Sequence, residues 1–153
     1  MDVFQPVDAN FEQRVRESFA RQGVMRLIGA QLGRLEPGRV DIELPFRDDL
    51  SQQHGFFHAG ITSTIADSAG GYAAYTLFPA DSSVLTVEFK INLIAPAQGE
   101  RLIATGRVKK SGRTLSICEF EVVVIQGCQG KTCALGLQTL MCLQGRKDMP
   151  QSG

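Results

Sequence analysis

The most reactive-looking part of this 153-residue chain is the run Gln52-Gln53-His54-Gly55-Phe56-Phe57-His58-Ala59-Gly60, followed by Asp67. Asp67 is a carboxylate inside an otherwise uncharged helical stretch, where an unpartnered buried charge costs several kcal/mol. It reads either as a reactive acid or as a side chain satisfied by backbone or by a salt bridge. The helix itself begins near His58. Backbone N–H groups in a first turn lack intrahelical partners, and the helix dipole adds partial positive charge there. The amides of Ala59 and Gly60 are therefore suited to polarise a carbonyl and hold a developing oxyanion. Asp67 follows Ala59 by eight residues, about 12 Å along the axis, too far for both to act on one carbon. Two antiparallel copies of the helix at a dimer interface would bring Asp67 of one to Ala59 of the other.

The elements that would position these groups are legible from periodicity. Residues 9–23 carry Phe11, Val15 and Phe19 on one stripe, an amphipathic helix that Gly23 would stop. Residues 26–35 and 39–45 read as strands joined at Glu36-Pro37-Gly38, the second alternating Val40, Ile42 and Leu44 with Asp41 and Glu43. Residues 58–78 read as a long helix, apolar nearly all round and so buried, as though a sheet wrapped around it; Pro79 closes it. Residues 84–94, 101–110, 114–125 and 132–143 are alternating and rich in β-branched residues, with turn signals between them. The order of helix, two strands, buried helix and four strands is not the alternation of a parallel doubly wound fold. It predicts an α+β arrangement: an N-terminal helix over residues 1–24, one domain over 25–144 and a polar, frayed tail over 145–153.

Composition narrows the function. Lys plus Arg and Asp plus Glu number 16 each, so no global field recruits nucleic acid or an anionic membrane. No apolar run approaches a membrane span, and the N-terminus does not read as a signal peptide. Cys118, Cys128, Cys133 and Cys142 lack C-x-x-C spacing, which predicts no metal site and reduced thiols in a cytoplasmic protein.

Gln52, His58-Ala59-Gly60 and Asp67 together resemble the phenylacetate-pathway branch of the hot-dog thioesterases. That pattern is Gln or Asn, six residues to His-Gly-Gly, then Asp or Glu nine residues past the His. The resemblance runs over about residues 29–143 and includes Thr86-Val87-Glu88-Phe89-Lys90, Ala95-Pro96-Ala97 and the hairpin Lys110-Ser111-Gly112-Arg113-Thr114-Leu115. It implies a hot-dog fold, a long antiparallel sheet wrapped around a central helix, and hydrolysis of an acyl-CoA without a cofactor. It also implies roles. Asp67 would be nucleophile or general base, and Ala59 would donate its N–H to the thioester carbonyl, with Gly60 supporting the tight helix start. Gln52 would sit near the thioester or orient water, and His58 would brace the loop near the sulfur. Thr86 and Glu88 would contact substrate. The active unit would be a homodimer, commonly paired into a tetramer. The chain departs from the pattern at Ala59, where the family has Gly; the N–H survives, and the methyl requires a helical φ.

Coenzyme A carries phosphates. Lys110, Ser111, Gly112 and Arg113, flanked by Arg107 and Lys109, match the hairpin that lies along its nucleotide in the family, with Lys90 and Arg101 as further cations. Phe56 and Phe57 would line an acyl pocket or staple the loop to the core. The small residues after Asp67 would admit an acyl group or let helices pack. Two rivals stand beside hydrolysis: a hot-dog hydratase or dehydratase, which usually needs a His near the central helix where none follows His58, and a non-catalytic acyl-CoA-binding module.

Overall fold

The computed structural model describes residues 3–150. Residues 1–2 and 151–153, the outer ends of the expected N-terminal segment and tail, lie outside the described residues. The chain forms α1 (Phe11–Arg21), α2 (Gly23–Ile28), β1 (Gln31–Glu36), β2 (Arg39–Pro45), a 3-10 turn (Asp48–Leu50), α3 (Ala59–Tyr75), β3 (Ser82–Leu93), β4 (Arg101–Lys110), β5 (Leu115–Gln126) and β6 (Gln129–Gln144). The strands make one sheet in the order β1-β2-β4-β5-β6-β3, every pairing antiparallel. The α+β class, with a long antiparallel sheet curled around a central helix, is the one expected.

The expected strand over 26–35 is a correction. Its first half is α2, because Met25 and Ile28 sit three apart and bury one face in the core. Gly29, at φ 80, ends that helix by donating its N–H to the Met25 carbonyl. Gly23 does not stop the first helix by itself; Gln22 in extended conformation breaks it, and Gly23 opens the next.

The alternation of the strands sends Leu102, Ala104, Phe120, Val122, Ala134 and Leu140 inward, all essentially inaccessible. The second half of α3 lies on this surface, with Ala69 through Phe78 buried. Its far side is covered by α1, where Phe19 packs on Tyr72 at 5.9 Å between ring centroids. Arg14 of α1 also donates to the carbonyls of Tyr75 and Phe78 (3.2 and 2.8 Å) while pairing with Asp8 (2.9 Å). A cation is thereby seated on the negative end of α3. Arg21 holds residue 148 in turn, bonding the backbone oxygen and the carboxylate of Asp148 at 2.7 and 2.9 Å.

The first half of α3 is different. Ala59 and Gly60 are exposed, and Ile61, Ser63, Thr64, Asp67 and Ser68 only half-buried. Within one chain the helix is therefore open along a strip beside β3, the edge strand of the sheet. That edge exposes apolar side chains among polar ones: Leu85, Val87 and Leu93, with Ile94 just beyond it, are each more than half exposed. None of the described helices is long and apolar enough to cross a membrane.

Candidate active site

Asp67 projects from the middle of α3 toward β3 and β6. Thr86 Oγ1 donates to its Oδ1 at 2.7 Å. The Gln138 amide Nε2 donates to the Asp67 backbone oxygen at 3.2 Å and to the same Oδ1 at 3.3 Å. Asp67 Oδ2 receives no hydrogen bond among the described residues. The carboxylate is thus satisfied by neutral donors, not by a salt bridge, and one oxygen is left open. It borders a cleft of about 210 Å³ lined by Gln22, Ser68, Gly71, Tyr72 and Val84. The polar wall of this cleft is cross-linked: Gln22 Nε2 donates to Tyr72 Oη at 3.0 Å, and Ser18 Oγ meets the same hydroxyl at 3.1 Å. Burial pushes the Tyr72 phenol above its ordinary value, so it stays neutral near pH 7.

Thr86 and Glu88 part company. Thr86 is paired with Leu140 and Glu88 with Thr139, the register slipping at Val87. Paired residues share a face and neighbours on a strand alternate, so Thr86 points inward with Leu140 while Glu88 points outward. Glu88 accepts from Thr139 Oγ1 at 2.6 Å on the opposite face from Asp67. Glu88, expected as a substrate contact, thus lies away from Asp67 within one chain.

The start of α3 is built by His58, whose extended φ and ψ (−63 and 140) make it the N-cap. Its Nδ1 accepts the Gly60 N–H at 2.8 Å, so the ring hydrogen resides on Nε2. Gly60 favours this: a Cβ there would lie 3.0 Å from His58 Nδ1 and push the ring back. The His58 carbonyl takes the Ile61 and Thr62 amides at 3.0 Å each. Of the two amides the sequence offered, Gly60's is therefore occupied, and only the Ala59 N–H has no acceptor among the described residues. No non-glycine residue among those described has positive φ, so the Ala59 methyl is accommodated. The free amide opens on a cleft of about 400 Å³ lined by Gln52, Phe56, Phe57, Leu93, Ile94 and Cys133. The Gln52 side-chain oxygen is turned back onto the His54 amide. Phe57 is the loop staple, buried edge-on against Phe46 at 5.1 Å, whereas Phe56 is half-buried in the cleft wall. Cys133 is no competing nucleophile, because burial pushes its thiol up to about 11.

Asp67 and Ala59 stay apart within the chain. Asp67 sits at the level of Gln138, and the Ala59 cleft at that of Leu93, whose partner is Ala134. Four strand residues separate the two levels, about 14 Å, in agreement with the helical spacing. The β4–β5 hairpin lies on the other side of Asp67, where the Thr114 carbonyl meets the Cys142 amide. Lys110, Ser111 and Arg113 are exposed there, and the Gly112 N–H faces Ser116 Oγ at 3.4 Å. Arg107 and Lys109 are instead turned to Glu121 and Glu119 (3.9 and 3.4 Å). Gln138 is the residue the sequence reading missed. Its only signal was a polar side chain on the inward phase of an otherwise apolar strand.

The thioesterase superfamily model matches residues 54–129. A Saccharolobus solfataricus protein named as an esterase is 31% identical over 98 residues, covering 64% of this chain and 69% of that protein. Acyl-coenzyme A thioesterase 13 of Homo sapiens is 28% identical, covering 67% and 72%. The crystal structure of a thioesterase family protein from Silicibacter pomeroyi superposes with a TM-score of 0.87 at 47% identity, covering 88% of this chain and 99% of that one. The matched span contains both the free helix amide and the held carboxylate, and with a structural match over 88% of the chain it means that this chain belongs to the thioesterase superfamily, a thioester hydrolase built on the hot-dog fold.

Proposed function

We propose that the protein hydrolyses an acyl-CoA to the free acid and CoA in a site shared across a homodimer. Asp67 comes from one subunit and the Ala59 N–H of the partner subunit completes the site. The observation that carries this reading is the pairing of a partner-free amide and a half-open carboxylate on one helix, too far apart to meet, beside an unpaired edge strand. An unpaired edge of this length invites a second strand, and a two-fold pairing along β3 would set the two copies of α3 antiparallel. The thioester carbonyl would accept from the Ala59 amide of the partner subunit as charge develops on oxygen. Asp67 Oδ2 would either take a proton from attacking water or attack the carbonyl carbon itself. In both cases the C–S bond breaks, the sulfur leaves as the CoA thiol after protonation, and water supplies the acid's second oxygen.

Lys110 and Arg113 are suited to the CoA phosphates, with the Gly112 turn allowing close backbone approach. The hairpin lies about 14 Å along the strands from Asp67, a span that a pantetheine arm can cover. Gln52, in the wall of the Ala59 cleft, would orient water or the thioester. The aromatic and apolar cleft walls favour an aromatic acyl group such as phenylacetyl, or a medium-chain one. A dimer of dimers is the expected assembly. The free thiols suit a reducing cytoplasm.

The test is thiol release from phenylacetyl-, 4-hydroxybenzoyl-, hexanoyl-, decanoyl- and palmitoyl-CoA, wild type beside Asp67→Asn. Hydrolysis by wild type, reduced at least about a hundredfold in Asp67→Asn with CoA binding retained, is the expected result. Equal turnover by the two proteins would remove Asp67 from the mechanism. CoA binding without release from any thioester would favour a binding module.

A further inference from the structure

Gln138 is 1% exposed, the only amide side chain buried in the sheet's inner face among the described residues. Its Nε2 serves the Asp67 carbonyl and Oδ1, and its Oε1 is buried with no partner. The amide cannot be turned over, because that would set Oε1 against two oxygens. Room for it exists because residue 70 is glycine: a Cβ there would lie 2.0 Å from Gln138 Oε1 and 2.6 Å from its Cδ. A buried amide with half its hydrogen bonding unmet is less stable than an apolar side chain of similar shape. Its retention needs a reason other than packing.

We infer that Gln138 is a positioning residue for Asp67, fixing Oδ1 so that Oδ2 is the oxygen offered to the thioester. The inference rests on the proposed catalytic role of Asp67. Thr86 alone would leave the carboxylate free to turn about its broad, two-fold final torsion. A second donor from another strand, tied also to the Asp67 main chain, removes that freedom. Both donors choose Oδ1, so the pair distinguishes two otherwise equivalent oxygens.

Three variants test this: Gln138→Ala, Gly70→Ala, which displaces the amide without touching Asp67, and the two combined. Each single change should lower kcat about tenfold to a hundredfold with KM within about twofold. In the double variant the new methyl occupies part of the vacated space, so it should regain thermal stability lost in Gln138→Ala but not kcat. Gln138→Met, similar in length with no donor, should show the same kcat loss should the alanine variant not fold. Recovery of kcat together with stability in the double variant would overturn the positioning role. So would unchanged kcat in both single variants while Asp67→Asn loses turnover. Turnover retained by Asp67→Asn would overturn this inference and the reading beneath it together.

Discussion

At the scale of single residues, the site depends on which polar atoms are left without partners. Asp67 Oδ1 is bonded and Oδ2 is not; the Gly60 amide is bonded to His58 and the Ala59 amide is not. Ala59 is the first helical residue, a position where proline is tolerated because its missing N–H is needed by no helical partner. His58 is already extended, as a residue before proline must be. Ala59→Pro should therefore keep the fold, seen as an unchanged far-ultraviolet circular dichroism spectrum. It should lower kcat about a hundredfold to a thousandfold, the cost of one oxyanion donor. The thiols give a second expectation. Burial pushes Cys118 up to about 12 and Cys133 up to about 11, from an ordinary 9.0, while Cys128 is exposed. A thiol reagent should label Cys128 alone in the native protein. Because the folded thiols hold their protons more tightly than the unfolded ones, their contribution to stability is complete below about pH 9. It should be lost as pH rises through 11 to 12, read as a falling melting temperature.

At the scale of elements, α3 does two jobs with its two ends. The first turn is capped by His58 but left open to solvent, and the last is closed by Arg14 on the carbonyls of Tyr75 and Phe78. α1 is thus a clamp on the central helix as well as a cover for it. Arg14→Met keeps much of the stem packing but leaves those carbonyls without the cation. It should lower stability by about 2–3 kcal/mol in urea unfolding, with little change in KM. β3 has its own device, the slip at Val87, which turns Thr86 toward Asp67 and Glu88 away from it.

At the scale of the whole molecule, the two proposed half-sites lie on either side of a centre near Gly136, the midpoint between the levels of Gln138 and Ala134. The residue opposite Gly136 on the edge strand is Ile91. A two-fold axis that brings Asp67 to Ala59 of the partner subunit must cross β3 close to that point. Single cysteines placed over residues 89–93, in a Cys128→Ser background, should therefore crosslink into dimers under mild oxidation, with the maximum at or beside Ile91. Crosslinking that peaks toward Val84 instead, or a monomer in light scattering that still turns over, would refute the shared site.

Residue order alone specifies what is local and periodic. The long strands and the apolar central helix follow from the periods of 2 and 3.6, and the eight-residue spacing of Ala59 and Asp67 already pointed to the proposed shared site. The three-residue spacing of Met25 and Ile28 is legible too, but Gly23 reads as a helix stop in sequence and opens α2 in the fold. The partners brought together across the chain come from folding alone. Gln138 lies 71 residues from the carboxylate it holds. Glu88 changes face because one residue slips in an antiparallel ladder, and Gly60 loses its amide to a side chain two residues away. Register and orphaned hydrogen-bonding groups are settled by which strands and caps meet in space, and no pattern of residue types along the chain specifies that.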